Sequence, residues 1–193
     1  MQALILAGGR GMRLNPLTND LPASLLYLPG GTILDYLLQH LSELPIEKTA
    51  LILQYRGDQV ARHLAERYSE PFTLTPQYPP FTFLSALASA APWVEGPTLV
   101  LHGNFYFSHN LHYFLEAADP SRPTFLLKPE AIDRGCIGSA GAYLLPPKAF
   151  YLAARFVEED SLDTLREALM AEGIQPATVP LQGWAQPIHT STD

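Results

Sequence analysis

Cysteine is almost absent: Cys136 is the only one in 193 residues, so no internal disulfide can form. Positive charge is also scarce. Twelve Lys and Arg against nineteen Asp and Glu leave a net charge of −7. No stretch concentrates the bases, so a nucleic-acid backbone has nothing to hold, although a small anion can still bind through loop amides and single arginines. No apolar run approaches the roughly 20 residues of a bilayer-spanning helix. The apolar start from Met1 to Gly8 lacks the basic flank and the length of a signal peptide. These absences lead to the expectation of a cytoplasmic protein with neither nucleic acid nor membrane as partner. Charged residues make up only 16%, yet hydrophobic residues reach 47%, which excludes disorder. Internal repeats, low-complexity tracts and long linkers are missing too, so residues 1–193 are expected to form one domain, with the oligomeric state left open.

Apolar runs alternate with helical patterns. Gln2 to Leu6 reads as a buried strand opening into Ala7-Gly8-Gly9. After a polar loop, Thr32 and Asp35 offer an N-terminal cap to a helix whose apolar face is Ile33, Leu34, Leu37, Leu38, Leu41 and Leu44. The pattern repeats with strands over 50–54, 72–75 and 98–102 and helices over 57–68 and 81–91. Beyond Ser108 follow a short helix to Ala118, a strand over 124–127, an apolar segment over 140–145, and helices over 148–157 and 161–172, the last ended by Gly173. Such alternation predicts an α/β fold with a mostly parallel, doubly wound sheet. Ligands of such sheets sit beyond the carboxyl ends of the strands, which points to the loops after Leu6 and after His102.

Gly8, Gly9 and Gly11, with Arg10 and Arg13, form a loop whose amides and guanidinium groups can converge on phosphate. No Gly-Lys-Ser/Thr follows, which excludes a P-loop, and Leu14 replaces the third glycine of the dinucleotide fingerprint. The bare spacing fits a phosphate cradle and a plain tight turn equally well.

The wider string Leu4-Ile5-Leu6-Ala7-Gly8-Gly9-Arg10-Gly11-Met12-Arg13-Leu14-Asn15-Pro16-Leu17-Thr18, with Pro22, Leu25-Leu26 and Ile33-Leu34-Asp35-Tyr36, resembles the signature of the sugar-nucleotide pyrophosphorylases, a nucleotidyltransferase family. Weaker echoes follow in order: Tyr55 to Val60, Leu99 to Asn104, Lys128-Pro129, Ala140 to Tyr143, and Trp184. The resemblance implies a nucleotide-diphospho-sugar transferase-like fold. It also implies a reaction that joins a nucleoside triphosphate to a sugar 1-phosphate and releases pyrophosphate. By the same resemblance, Ala7, Gly8, Gly9, Arg10, Gly11 and Arg13 belong to the triphosphate loop, with Arg13 catalytic. Gln77 would read the base edge, Asn104 would lie at the nucleotide, and Lys128 and Gly141 would meet the sugar.

Several family groups are missing. Met12 replaces a Thr, Pro22-Ala23 replaces a Pro-Lys pair, and Leu127 stands where a Glu would bind sugar hydroxyls. Asn104 and Gln186 replace the two carboxylates that would hold Mg2+, so the family's cofactor meets two neutral amides and no metal-binding residue is assigned. Ser139 replaces an Asn, and Phe81 lies where a Gly would open space at the base. Each lost charge costs on the order of a hundredfold in rate. The expectation is therefore a nucleotide- or nucleotide-sugar-binding relative with weak or lost catalysis. The alternative is a regulatory or structural pseudoenzyme that senses a nucleotide-sugar or pairs with an active homologue.

The other features carry plainer readings. His102, His109 and His112 do not match a zinc spacing, and His189 reads as a tail residue. Asp35 reads as a helix cap, Cys136 as a small loop residue, and Glu158-Glu159-Asp160 as a solvated turn. The aromatic stretch of Phe105, Tyr106, Phe107, Tyr113 and Phe114 fits either core or a stacking surface.

Overall fold

A computed structural model describes residues 1–108, 111–128 and 139–188. His109, Pro129, Cys136 and His189 lie outside the described residues. Eleven strands and six helices are named here in chain order. The strands are β1 (Gln2–Leu6), β2 (Tyr27–Leu28), β3 (Gly31–Thr32), β4 (Lys48–Leu53), β5 (Phe72–Pro76), β6 (Thr98–His102), β7 (Phe105–Phe107), β8 (Thr124–Leu127), β9 (Ser139–Leu145), β10 (Ala177–Pro180) and β11 (Ala185–Pro187). The helices are α1 (Ile33–Ser42), α2 (Gly57–Arg67), α3 (Phe83–Ala90), α4 (Leu111–Ala117), α5 (Pro147–Ala153) and α6 (Leu162–Ala171).

Seven strands form one sheet in the order β10-β8-β9-β6-β1-β4-β5. The pairs β1 with β4 and β6, β4 with β5, and β8 with β10 are parallel, while β9 runs antiparallel to β6 and β8. Alternation along the strands builds two cores, because successive side chains point to opposite faces. Ala3, Ile5, Leu51, Leu99 and Leu101 pack with the apolar face of α1 and with Val60, Leu64 and Phe114. Leu4, Ala50, Ile52 and Val100 pack on the other face with Leu84, Leu87, Phe150, Leu165 and Leu169. The mostly parallel, doubly wound α/β architecture expected from the sequence is present.

Local chemistry sets the element ends. Thr32 and Asp35 make a reciprocal capping box at the start of α1, and Thr82 and Ser85 make another at α3. Thr82 is therefore extended, and the helix expected from residue 81 begins at Phe83 instead. At the end of α6, Gly173 takes φ +76°, with Gly173 N–H donating to Met170 O and Ile174 N–H to Leu169 O, the paired bonds of a Schellman motif.

The main departures lie in the short strands. Phe105 to Phe107 is a strand, paired antiparallel with β11, in which Phe105 and Phe107 are buried and Tyr106 stacks on Trp184 at 5.3 Å. The helix expected over 148–157 stops at Ala153, where i to i+3 turns at Arg155 and Phe156 replace it. Among the described residues no helix is long and apolar enough to cross a membrane.

Candidate active site

Two loops meet beyond the carboxyl ends of β1 and β6. Gly103 N–H donates to Leu6 O at 3.0 Å, and a Cβ on Gly103 would lie 2.7 Å from that same carbonyl, so only glycine lets the two loops approach this closely. Ala7 N–H bonds to Ile52 O and Tyr55 N–H to Gly8 O, which ties the glycine loop to β4 and the turn after it. Gly11 then takes the left-handed conformation, φ +67°, and turns the chain into a 3-10 turn over Met12–Leu14. Leu14 is buried there, and the Thr18 hydroxyl donates to Gly11 O at 2.8 Å.

A cleft of about 210 Å³ results. It is lined by Ala7, Gly8, Gly9 and Gly11, by His102, Gly103 and Asn104, and by the buried Ala23. Gln77, Phe81, Thr82, Phe83 and Asp160 also line it. The structure thus brings together six of the residues singled out in the sequence: Ala7, Gly8, Gly9, Gly11, Gln77 and Asn104.

Others stand apart. The Arg10 guanidinium lies over the Tyr55 ring, 5.1 Å from its centroid, and Arg56 approaches the same ring at 5.9 Å while pairing with Asp20. Arg13 is exposed on the 3-10 turn and does not line the cleft. Lys128, at the end of β8, and Gly141, in β9, do not line it either. A Cβ on Gly141 would sit 2.6 Å from the Phe105 ring, so that glycine admits an aromatic side chain at this point in the fold.

Gln186 faces a separate cavity of about 260 Å³ with Tyr36, Tyr106 and Trp184. In the β7–β11 ribbon it opposes Tyr106, and the residue bonded to Asn104 O is Ile188, at 2.8 Å. The donor set therefore does not fit a two-carboxylate magnesium site: Asn104 is neutral, Gln186 lines a different cavity, and Asp160, the one acid among the described residues that line the cleft, is held by Phe83 N–H. Among the described residues no group of three His, Cys, Asp or Glu side chains could hold a metal ion.

Two residues lining the cleft, His102 and Asp160, carried other readings in the sequence. His102 is half-buried: Phe83 stacks on it at 5.5 Å, and its Nε2 lies 2.9 Å from the Tyr143 hydroxyl. That hydroxyl lies 2.6 Å from Ser139 Oγ, which also accepts from Gly141 N–H. Burial pushes the Tyr143 phenol up to about 12, so it stays protonated at neutral pH. Asp160 is no isolated solvated turn, because its Oδ1 accepts from Phe83 N–H at 2.6 Å across 77 positions of chain. Nothing local in the sequence marks such a contact.

Asp35 does more than cap α1. It accepts from Thr32 N–H, the Tyr68 hydroxyl and the His63 ring, with Arg67 at 3.5 Å. Burial opposes its ionisation, but the hydrogen bonds from Thr32, Tyr68 and His63 outweigh it and hold the carboxyl at about 2. Burial and the same carboxylate push the Tyr68 phenol upward. This cluster lies away from the cleft.

The family model described as nucleotidyl transferase matches residues 2–129, which include both loops of the cleft, Gln77 and Asn104. The chain belongs to that family. It is 30% identical over 112 residues to the UTP–glucose-1-phosphate uridylyltransferase of Haloferax volcanii, covering 58% of this chain and 46% of that protein. It is 37% identical over 65 residues to the N-acetylmuramate alpha-1-phosphate uridylyltransferase of Caulobacter vibrioides, covering 34% of this chain and 27% of that one. The matches thus span less than half of either relative. Among solved structures, the inositol-1-phosphate CTP transferase from T. maritima superposes with a TM-score of 0.84 over 99% of this chain and 90% of that one, at 14% identity. A likeness at that identity establishes the nucleotidyl transferase fold.

Proposed function

We propose that this nucleotidyl transferase binds a nucleoside triphosphate or a nucleotide-sugar in the cleft, through the loop from Gly8 to Arg13, and transfers the nucleotidyl group slowly or not at all. One observation carries this reading. Gly8, Gly9, Gly11 and Gln77 line the cleft, but among the described residues no Lys, no Arg and no carboxylate pair line it with them.

In the transfer, a phosphate oxygen of a sugar 1-phosphate attacks the α-phosphorus, the bond from that phosphorus to the β-phosphate oxygen breaks, and pyrophosphate leaves with the electron pair. Negative charge crowds at the α-phosphorus, and fixed donors or cations must hold it. The loop amides supply donors. Arg13, exposed on the turn after them, and Arg10, resting on Tyr55, are the guanidinium groups of the same loop. Ala23 supplies nothing in place of a cation, and no step is assigned to a metal. Lys128 and Gly141 serve the sugar side only if Phe105 leaves room.

The missing charges also support a second reading, in which the chain is a sensor of nucleotide-sugar without transfer. Calorimetry with common nucleoside triphosphates and nucleotide-sugars, paired with pyrophosphate detection across sugar 1-phosphates, tests both. Modest binding that Arg13→Ala weakens is expected. A flat titration with every nucleotide and nucleotide-sugar would remove the functional reading, and measurable transfer would remove the sensor.

A further inference from the structure

One buried hydroxyl lies unspent beside the glycine loop. Ser24, in the 3-10 turn Ala23–Leu25, is 2% exposed and lines the cleft, yet among the described residues its Oγ has no hydrogen-bond partner. The other buried polar side chains of the described residues, Gln2, Thr18, Thr32, Ser85, Thr98 and Thr124, all have one. A serine in a helical turn ordinarily returns its hydroxyl to a carbonyl three or four residues back. Here Asp20 O accepts from Gln59 Nε2 instead, and the Ser24 hydroxyl goes to no carbonyl.

The turn sits hard against the loop. A Cβ on Gly11 would lie 2.9 Å from the Ala23 Cβ, and Gly8, Gly9 and Gly11 line the same cleft. Among the described residues the N–H groups of Gly8, Gly9, Arg10 and Gly11 have no acceptor either. A Cβ on Gly9 would meet nothing within 4 Å, so open space adjoins that backbone. Leaving a buried hydroxyl unpaired costs stability, and the ligand-free chain offers nothing in return for it. A bound group with an anionic oxygen would supply the acceptor that the hydroxyl and these amides lack, and a serine side chain turns toward it by a change of staggered rotamer.

We infer that Ser24 is a ligand-contact residue of this cleft, whose hydroxyl donates to an anionic oxygen, a phosphate oxygen of the bound nucleotide. The inference rests on the nucleotide-binding reading above and adds to it a residue and a mode of contact. Ala23, one position earlier, has no hydrogen-bonding side chain to offer. The contact is a neutral donor meeting a charged acceptor at short range. It depends on hydrogen-bond geometry and not on long-range attraction, so salt that screens exposed charges leaves it in place.

Ser24→Ala removes the hydroxyl and little volume. In calorimetric titrations with ATP, CTP, GTP and UTP, whichever of them the unaltered chain binds is expected to bind the variant about tenfold or more weakly. The loss should be the same at low and at high salt. Thermal melts without nucleotide are expected to show the variant at least as stable as the unaltered chain, because it no longer buries an unpaired hydroxyl. Ser24→Cys, with a weak S–H donor, is expected to fall between the two in affinity. Equal affinity of Ser24→Ala and the unaltered chain would overturn the inference while leaving nucleotide binding intact. A variant that melts lower without nucleotide and binds as well as before would give the hydroxyl a structural partner such as a buried water, and would overturn the inference too. If none of the four nucleotides binds the unaltered chain, the nucleotide-binding reading falls and the inference with it.

Discussion

Asp35 shows how much one side chain can hold together. It caps α1 and gathers His63 and Tyr68 from α2 and the turn beyond it. Its folded pKa, about 2, lies below the ordinary value of 3.8. The carboxylate therefore contributes stability that is fully present above about pH 4 and is lost as pH falls through the folded value. Asp35→Asn is expected to cost about 1–3 kcal/mol at neutral pH, from the weakened cap and hydrogen bonds. It should also flatten the acid limb of stability between pH 4 and 2, which denaturant melts across that range would measure. An unchanged acid limb would contradict the role given to Asp35.

Ala23 and Asn104 are the residues at which missing charge can be restored. Ala23 is buried and lines the cleft, so Ala23→Lys places an aliphatic stem along the wall with its ammonium toward the phosphates. Introducing that charge costs some stability. Together with Asn104→Asp, it is expected to raise pyrophosphate release about tenfold or more. Adding Gln186→Asp should bring no further gain, because that side chain opens into the cavity of Tyr106 and Trp184. A clear further gain from position 186 would mean that the β7–β11 ribbon rearranges when substrate binds.

At the scale of elements, the cleft depends on the close approach of the loops after β1 and β6. Gly103→Ala would push its new carbon to 2.7 Å from Leu6 O, a backbone atom held in the central strand. The loss is expected to be about 2 kcal/mol or more, with weakened nucleotide binding. Thermal melts and titration of the same variant would show both. Full stability with full binding would mean that the loops can separate at no cost.

The regular elements were legible because their signals are local. The apolar face of α1, the Thr32–Asp35 cap and the Gly173 stop each depend on residues within a few positions. Phe105 to Phe107 was harder to place, since its strand character depends on pairing with residues 185–187, some 80 positions away. The glycine loop, Gln77 and Asn104 could be placed together from the order of the motifs. Asp160 and His102 could not, because their roles depend on contacts with Phe83 and Tyr143 that only the fold brings about.

For the whole molecule, the family sheet and its glycine loop persist, while among the described residues no Lys or Arg and only Asp160 of the acids line the cleft. Neither Arg10, turned onto Tyr55, nor Asp160, engaged with Phe83, supplies the missing charges. The most direct test measures nucleotide binding by calorimetry and pyrophosphate release from the same preparation, with sugar 1-phosphates supplied in excess. The expected result is clear binding with release barely above that of the nucleotide alone. Rapid release from the unaltered chain would contradict it, and would mean that the loop amides, Arg10 and Arg13 stabilise the transition state without the missing charges.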